Sequence, residues 1–261
     1  MVYTDTHAHL DYPDYASDLD EVIKRASEAG VSKVITIGIG RDSIPRSLAL
    51  CEKYPNLHAA VGVHPTALDA LSLDEWEILE KAARHPKVVA IGETGLDYHR
   101  LPTEGADAYK KKQHDYFLHH LTLAKRMNKP VIVHCRDAYP DTLKILKAFG
   151  RFREEPGVMH CFASDPATAK EVFTLRYVIS TGGVLTFKNA PGLRAVIAET
   201  PHDMLLLETD CPYLAPVPHR GKRNEPGYTR LVAEKLAEVW GMPLEDISRV
   251  TEANVKRVFG I

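Results

Sequence analysis

Two histidines stand one residue apart in "DTHAHLD" at residues 5–11, flanked by Asp5 and Asp11. The run before them, Val2–Thr6, favours a β-strand. Side chains alternate faces along a strand, so His7 and His9 point the same way and Ala8 the other. Two parallel imidazoles suit a divalent metal ion. An H-x-H pair alone is weak, so the rest of the chain must supply further ligands. Similar donors recur at the ends of other apolar runs. They are His64 in "GVHP", Glu93 in "IGETGLDYH", His134 in "VIVHCRDA", His160 in "VMHCFAS" and Asp210 in "LLLETDCPYLAP". Four imidazoles (His7, His9, His134, His160) and two carboxylates (Glu93, Asp210) can hold two ions with Glu93 between them. For His64 a structural or substrate-contacting role stands beside ligation, because Pro65 follows it directly.

The elements that must bring these residues together can be read from the alternation of apolar runs and helical patterns. Strands are expected at 2–6, 33–37, 57–63, 88–92, 130–134, 157–161, 177–181 and 204–208. Helices are expected at 43–54, 106–127, 139–149, 165–175, 191–199 and 227–240, with a last one at 245–258 on the outside. Two more helices start at capping patterns: Ser17/Asp20, ending at Gly30, and Ser72/Glu75. Eight strand–helix units, with no G-x-G-x-x-G after the first strand, predict a (β/α)8 TIM barrel rather than an open doubly wound sheet. Such a barrel collects the C-terminal ends of its strands at one rim, where the donors fall. No linker or low-complexity run interrupts the pattern, so residues 1–261 read as one domain.

Composition narrows the function. The 261 residues are 44% hydrophobic and 26% charged with a formal net charge of −2, so no global field draws the chain to nucleic acid or membrane. No apolar run spans a bilayer, no signal peptide is visible, and none of the four cysteines forms C-x-x-C. The expectation is a cytoplasmic protein with reduced thiols. Cys135, Cys161 and Cys211 each follow a donor directly, and alternation turns them away into the layer between barrel and helices. A local basic cluster, Arg220, Lys222 and Arg223 in "PVPHRGKRNEP", follows the eighth strand, where barrels often bind phosphate. Arg136, two residues past His134, is a second phosphate clamp, and His99 lies within reach of substrate.

Taken together, "DTHAHLD", "GVHP", "GETGLDYH", "HCRDA", "HCF", "ETDCPYLAP" and "RGKRNEP" resemble the TatD-like metal-dependent hydrolases, often called TatD deoxyribonucleases, of the amidohydrolase type. The resemblance runs from residue 5 to about 226. It implies a TIM barrel with His7, His9, Glu93 and Asp210 on one ion and Glu93, His134 and His160 on the other. The family often has a second histidine where this chain has Thr66, a position outside its ligand set. It also implies metal-dependent hydrolysis of DNA, commonly 3′→5′ on single strands. In such a reaction Asp210 orients a water and takes its proton. Imidazole-rich ligands suit Zn, Mn, Ni or Co, whereas Mg prefers oxygen. The alternatives are hydrolysis of a carbonyl bond, such as a D-aminoacyl-tRNA ester, an amide or a lactone, and a non-catalytic metal-binding scaffold.

Overall fold

The computed structural model describes residues 1–68 and 74–261. Eight parallel strands follow one another in the order β1 to β8. They are β1 (Tyr3–Ala8), β2 (Val31–Ile39), β3 (Leu57–Gly62), β4 (Val88–Asp97), β5 (Val131–Arg136), β6 (Gly157–Met159), β7 (Val178–Thr181) and β8 (Leu205–Leu207). Past the end of β8 the chain runs beside β1. Asp210 N donates to His7 O at 2.9 Å and His9 N to Cys211 O at 2.8 Å, which closes the ring. The fold is a (β/α)8 TIM barrel, as the alternation predicts. Closure therefore falls at candidate ligands, and the same backbone hydrogen bonds set the spacing of His7, His9 and Asp210.

The helices are α1 (Leu19–Glu28), α2 (Ser43–Lys53), α3 (Glu75–Ala83), α4 (Ala106–Met127), α5 (Tyr139–Phe149), α6 (Pro166–Thr174), α7 (Pro191–Glu199), α8 (Thr229–Trp240) and α9 (Leu244–Phe259). None of those described is long and apolar enough to cross a membrane. Inside the barrel, Ile35, Ile37, Ala60, Ala90, Ile132, Val158, Val178 and Leu206 form one apolar cluster. A larger cluster fills the layer between strands and helices.

Four expectations need correction. Helix α9 does not lie on the outside: Val255, Val258 and Phe259 join the barrel's interior cluster. Ser248 bonds Val2 and Asn254 bonds Leu205 O, both at strand starts, so α9 seals the end opposite the rim. Strand β4 runs on to Asp97, five residues past its expected end. Gly95 makes that extension possible, because at φ +138° a Cβ there would meet His134 O at 2.0 Å. At α1 no side chain caps the helix; Asp18 instead accepts from Arg223 and Arg25. The Ser72 half of the other capping pattern lies outside the described residues. Cys135 and Cys211 do pack into the helix-side layer. Cys161 does not follow them, because the backbone turns left-handed there (φ 47°) and alternation ends. Its thiol is pushed well up by burial and by Glu208, Asp210 and Glu93, whose negative charge would repel a thiolate.

Candidate metal centre

Glu93 lies at the middle of the rim, buried, with its two oxygens facing different partners. Oε2 is 3.5 Å from His7 Nε2 and 3.8 Å from His9 Nε2. Oε1 is 2.8 Å from His134 Nδ1, 3.1 Å from His160 Nε2 and 3.4 Å from His64 Nε2. Asp210 Oδ1 adds to the first side, 3.5 Å from His9 Nε2 and 3.7 Å from His7 Nε2. Three overlapping triads therefore bring their donor atoms within 4.8 Å: His7/His160/Asp210, His7/His9/Glu93 and His64/Glu93/His134. All seven strand-end donors of the sequence converge here.

The partner accounting fits metal ions. Both nitrogens of His7, Nδ1 of His9 and Nδ1 of His160 are buried without a hydrogen-bond partner. Buried polar atoms rarely stay unpaired, and each orphan costs roughly 1–3 kcal/mol. The His7 and His160 rings stack at 3.9 Å, an arrangement that two cationic rings would oppose. Of the unpaired atoms His7 Nε2 faces Glu93 and Asp210, and a lone pair aimed there suits a divalent cation held by neutral imidazole and carboxylate.

Outer hydrogen bonds fix these donors. His134 Nε2 meets Asp97 Oδ2 at 3.0 Å, leaving Nδ1 for the Glu93 side. A ligating histidine held by a carboxylate in this way has its ring orientation and tautomer set. Burial would raise the Asp97 carboxyl, but His134 and the Arg100 amide bring it below its usual value. Glu208 Oε2 lies 3.6 Å from His160 Nδ1, while Glu208 also accepts from Cys161 N and Ser180 Oγ. Buried Asp5 accepts from His7 N, Thr209 N and Thr209 Oγ1, tying β1 to the segment that carries Asp210. His64 differs. Its Nδ1 accepts from Thr66 N at 3.2 Å and touches Thr66 Oγ1 at 2.7 Å, so its proton sits on Nε2, facing Glu93. That arrangement favours a hydrogen-bonding role for His64 over ligation, and Thr66 is what sets it. Burial disfavours a charged Glu93, yet His64, His160 and His7 overturn this and hold its carboxyl well below the usual range.

A cleft of about 410 Å³ opens over this cluster. Arg136 lines it, as the sequence suggests, and so do Arg100, Asp97, Tyr12 and Tyr213, which sequence reasoning missed. The basic loop is not among its lining. Arg223 forks onto Asp18 at 2.7 and 2.8 Å, and the Arg220 guanidinium stacks 3.6 Å over Phe187. Lys222 is exposed, and His99 is exposed beside Asp137 at 3.0 Å.

The profile of the family described as TatD related DNase matches residues 4–260. The chain belongs to the TatD-related DNase family. It is 43% identical to the protein described as the uncharacterized metal-dependent hydrolase YabD of Bacillus subtilis, covering 98% of each chain. It is 40% identical to YcfH of Escherichia coli K12, described in the same words, covering all of this chain and 97% of that one. Among solved structures, YJJV, a TatD homolog from E. coli K12, superposes with a TM-score of 0.91 at 34% identity, over 99% of this chain and 98% of that one. Membership and the donor cluster together make the protein a metal-dependent hydrolase.

Proposed function

We propose that this TatD-family protein hydrolyses phosphodiester bonds of DNA, working from the 3′ end of single strands. The observation that carries the reading is the pairing of the donor cluster with Arg100 and Arg136 on one cleft. Guanidinium groups beside a metal centre suit the non-bridging oxygens of a phosphate. In this reading His7, His9, Glu93 and Asp210 hold one divalent ion, and Glu93, His134 and His160 a second. Zn, Mn, Ni, Co and Mg are the candidates. Such ions supply Lewis-acid charge and make water more acidic at the site. Asp210 is partly buried, with its carboxyl held low by His9, His160 and His7 against the effect of burial. It is therefore a carboxylate at neutral pH, able to orient the attacking water and take its proton. Arg136 and Arg100 neutralise charge as the phosphoryl group passes through its transition state. His64, donating from Nε2, steadies Glu93.

The test is turnover of protein loaded with each candidate metal on 3′-labelled single-stranded DNA, a D-aminoacyl-tRNA and a lactone. Release of 5′-mononucleotides from the 3′ end is the expected result. Turnover of the aminoacyl ester or the lactone with none on DNA would move the chemistry to a carbonyl bond. Stoichiometric metal with turnover of none would leave a metal-binding scaffold.

A further inference from the structure

Tyr213 is the one aromatic among the exposed large hydrophobic side chains of the described residues, at 54% exposure. It lines the catalytic cleft. Its ring stands edge-on to Tyr12, with centroids 6.3 Å apart and planes at 80°. Tyr12 in turn stacks on His9 at 4.8 Å. The three rings form a wall that begins at a candidate ligand and ends in solvent.

The backbone beneath this ring is fixed. Tyr213 N donates to Asp210 O at 3.0 Å. Asn224, fully buried, donates from Nδ2 to Tyr213 O at 2.6 Å and to Thr209 O at 2.8 Å. Arg223 on Asp18 and Glu225 on Arg25 anchor the Asn224 segment on both sides. The "RGKRNEP" run is thus a brace for the loop carrying Asp210 and Tyr213. Leu214, the next residue, is held left-handed at φ 56°. The exposed ring is thus presented to the cleft by a pinned loop, where a flat ligand could cover it.

We infer that Tyr213, backed by Tyr12, is a stacking subsite for the nucleobase of the nucleotide whose phosphate sits at the metal centre, with Arg100 and Arg136 on that phosphate. This assignment rests on the phosphodiester reading above. It adds the part of the substrate that is held, and it makes the site tolerant of sequence, because every base offers a π face. Tyr213 N reaches Asp210 O, so the wall and the hydrolytic centre share one rigid loop. A stacked base would arrive with its phosphate already in register.

Two measurements test the subsite. In the first, metal-loaded protein acts on single strands whose 3′-terminal nucleotide carries a base or is a tetrahydrofuran abasic analogue. The wild type should prefer the base-bearing end by about fivefold or more, the lower end of a base–aromatic stack. Tyr213→Ala should bring that ratio close to one, and Tyr213→Trp should keep it. In the second, binding of dAMP and of 2-deoxyribose 5-phosphate is titrated calorimetrically, without turnover. The wild type should favour dAMP by a similar factor, and Tyr213→Ala should lose the difference. Equal losses on base-bearing and abasic ends, or an unchanged preference, would overturn the subsite while leaving nuclease activity in place. If DNA is not cut but dAMP is still preferred through Tyr213, the hydrolytic reading fails and the base wall stands. No dAMP preference in the wild type would overturn the wall directly.

Discussion

Two fully buried histidines in this barrel, His7 and His120, have opposite surroundings. His120, on α4, is satisfied at both nitrogens: Nε2 accepts from Val63 N at 3.0 Å and Nδ1 donates to Tyr116 O at 2.7 Å. Its neighbour on that helix, Gln113, likewise spends its amide on Asp97 N, Asp97 O and Pro65 O. His7 lies at the rim with neither nitrogen paired. Burial is the same for the two, so it separates nothing. Partner accounting does separate them. The α4 group staples the β3 and β4 ends in place, and the rim group is left open for cations.

The largest expected effect breaks the comparison on the rim side. His7→Ala should lower turnover by about a thousandfold or more, if metal activation supplies several kcal/mol. Because His7 has no side-chain hydrogen bond to lose, the metal-free protein should lose only the cavity cost, about 2 kcal/mol. Assays at saturating metal and urea melts under chelation read the two quantities. A large stability loss with retained turnover would make His7 a core residue.

Asp97→Asn sharpens the link between the two regions, since Asp97 holds His134 from one side while Gln113 holds its backbone from the other. Metal affinity should fall about 10–100-fold, the usual effect of losing such an outer partner. A competitive chelator titration measures it. On the α4 side, His120→Ala should cost about 2–4 kcal/mol through the cavity and the unpaired Val63 amide. Metal stoichiometry should not change.

Burial lowers His120 to about 4, and His58 to about 4 as well. An unfolded histidine titrates near 6.5. The folded protein thus binds fewer protons than the unfolded chain between those values. The contribution of His120 to stability is full above about pH 6.5 and falls as pH drops towards 4, by roughly 3 kcal/mol at most. The dependence of the urea midpoint on pH across that window should differ between wild type and His120→Gln, the wild type losing more stability, or gaining less, as pH falls. The smallest effect concerns the basic loop. Lys222→Ala should leave the salt dependence of DNA binding nearly unchanged, whereas Arg136→Ala should flatten it by about one unit of log–log slope or slightly less.

The rim was legible in the sequence because its donors close strands that are themselves legible. His7, His134, His160 and Asp210 each end an apolar run, and the barrel does the rest. What stayed hidden depended on distant partners. Asp97 escapes a strand expected to end at residue 92, although Glu93, Gly95 and Asp97 share strand parity. Arg223 reads as a free cation until Asp18, far away in sequence, claims it. The tautomer of His64 depends on Thr66, a position that family resemblance marks only as a departure. Nothing in "CPYLAP" reveals that Tyr213 is exposed, because exposure follows from how the Asn224 brace turns the loop.

The claim that Glu93 joins two ions is tested most directly by elemental analysis of the folded Glu93→Gln variant at saturating metal. The amide keeps the side-chain shape but is neutral, and its nitrogen is a poor ligand. Circular dichroism should match the wild type, because the barrel core does not depend on the site. Two ions per chain in the wild type, and loss of both together in the variant, is the predicted result. Two ions retained in Glu93→Gln with near-normal turnover would contradict it.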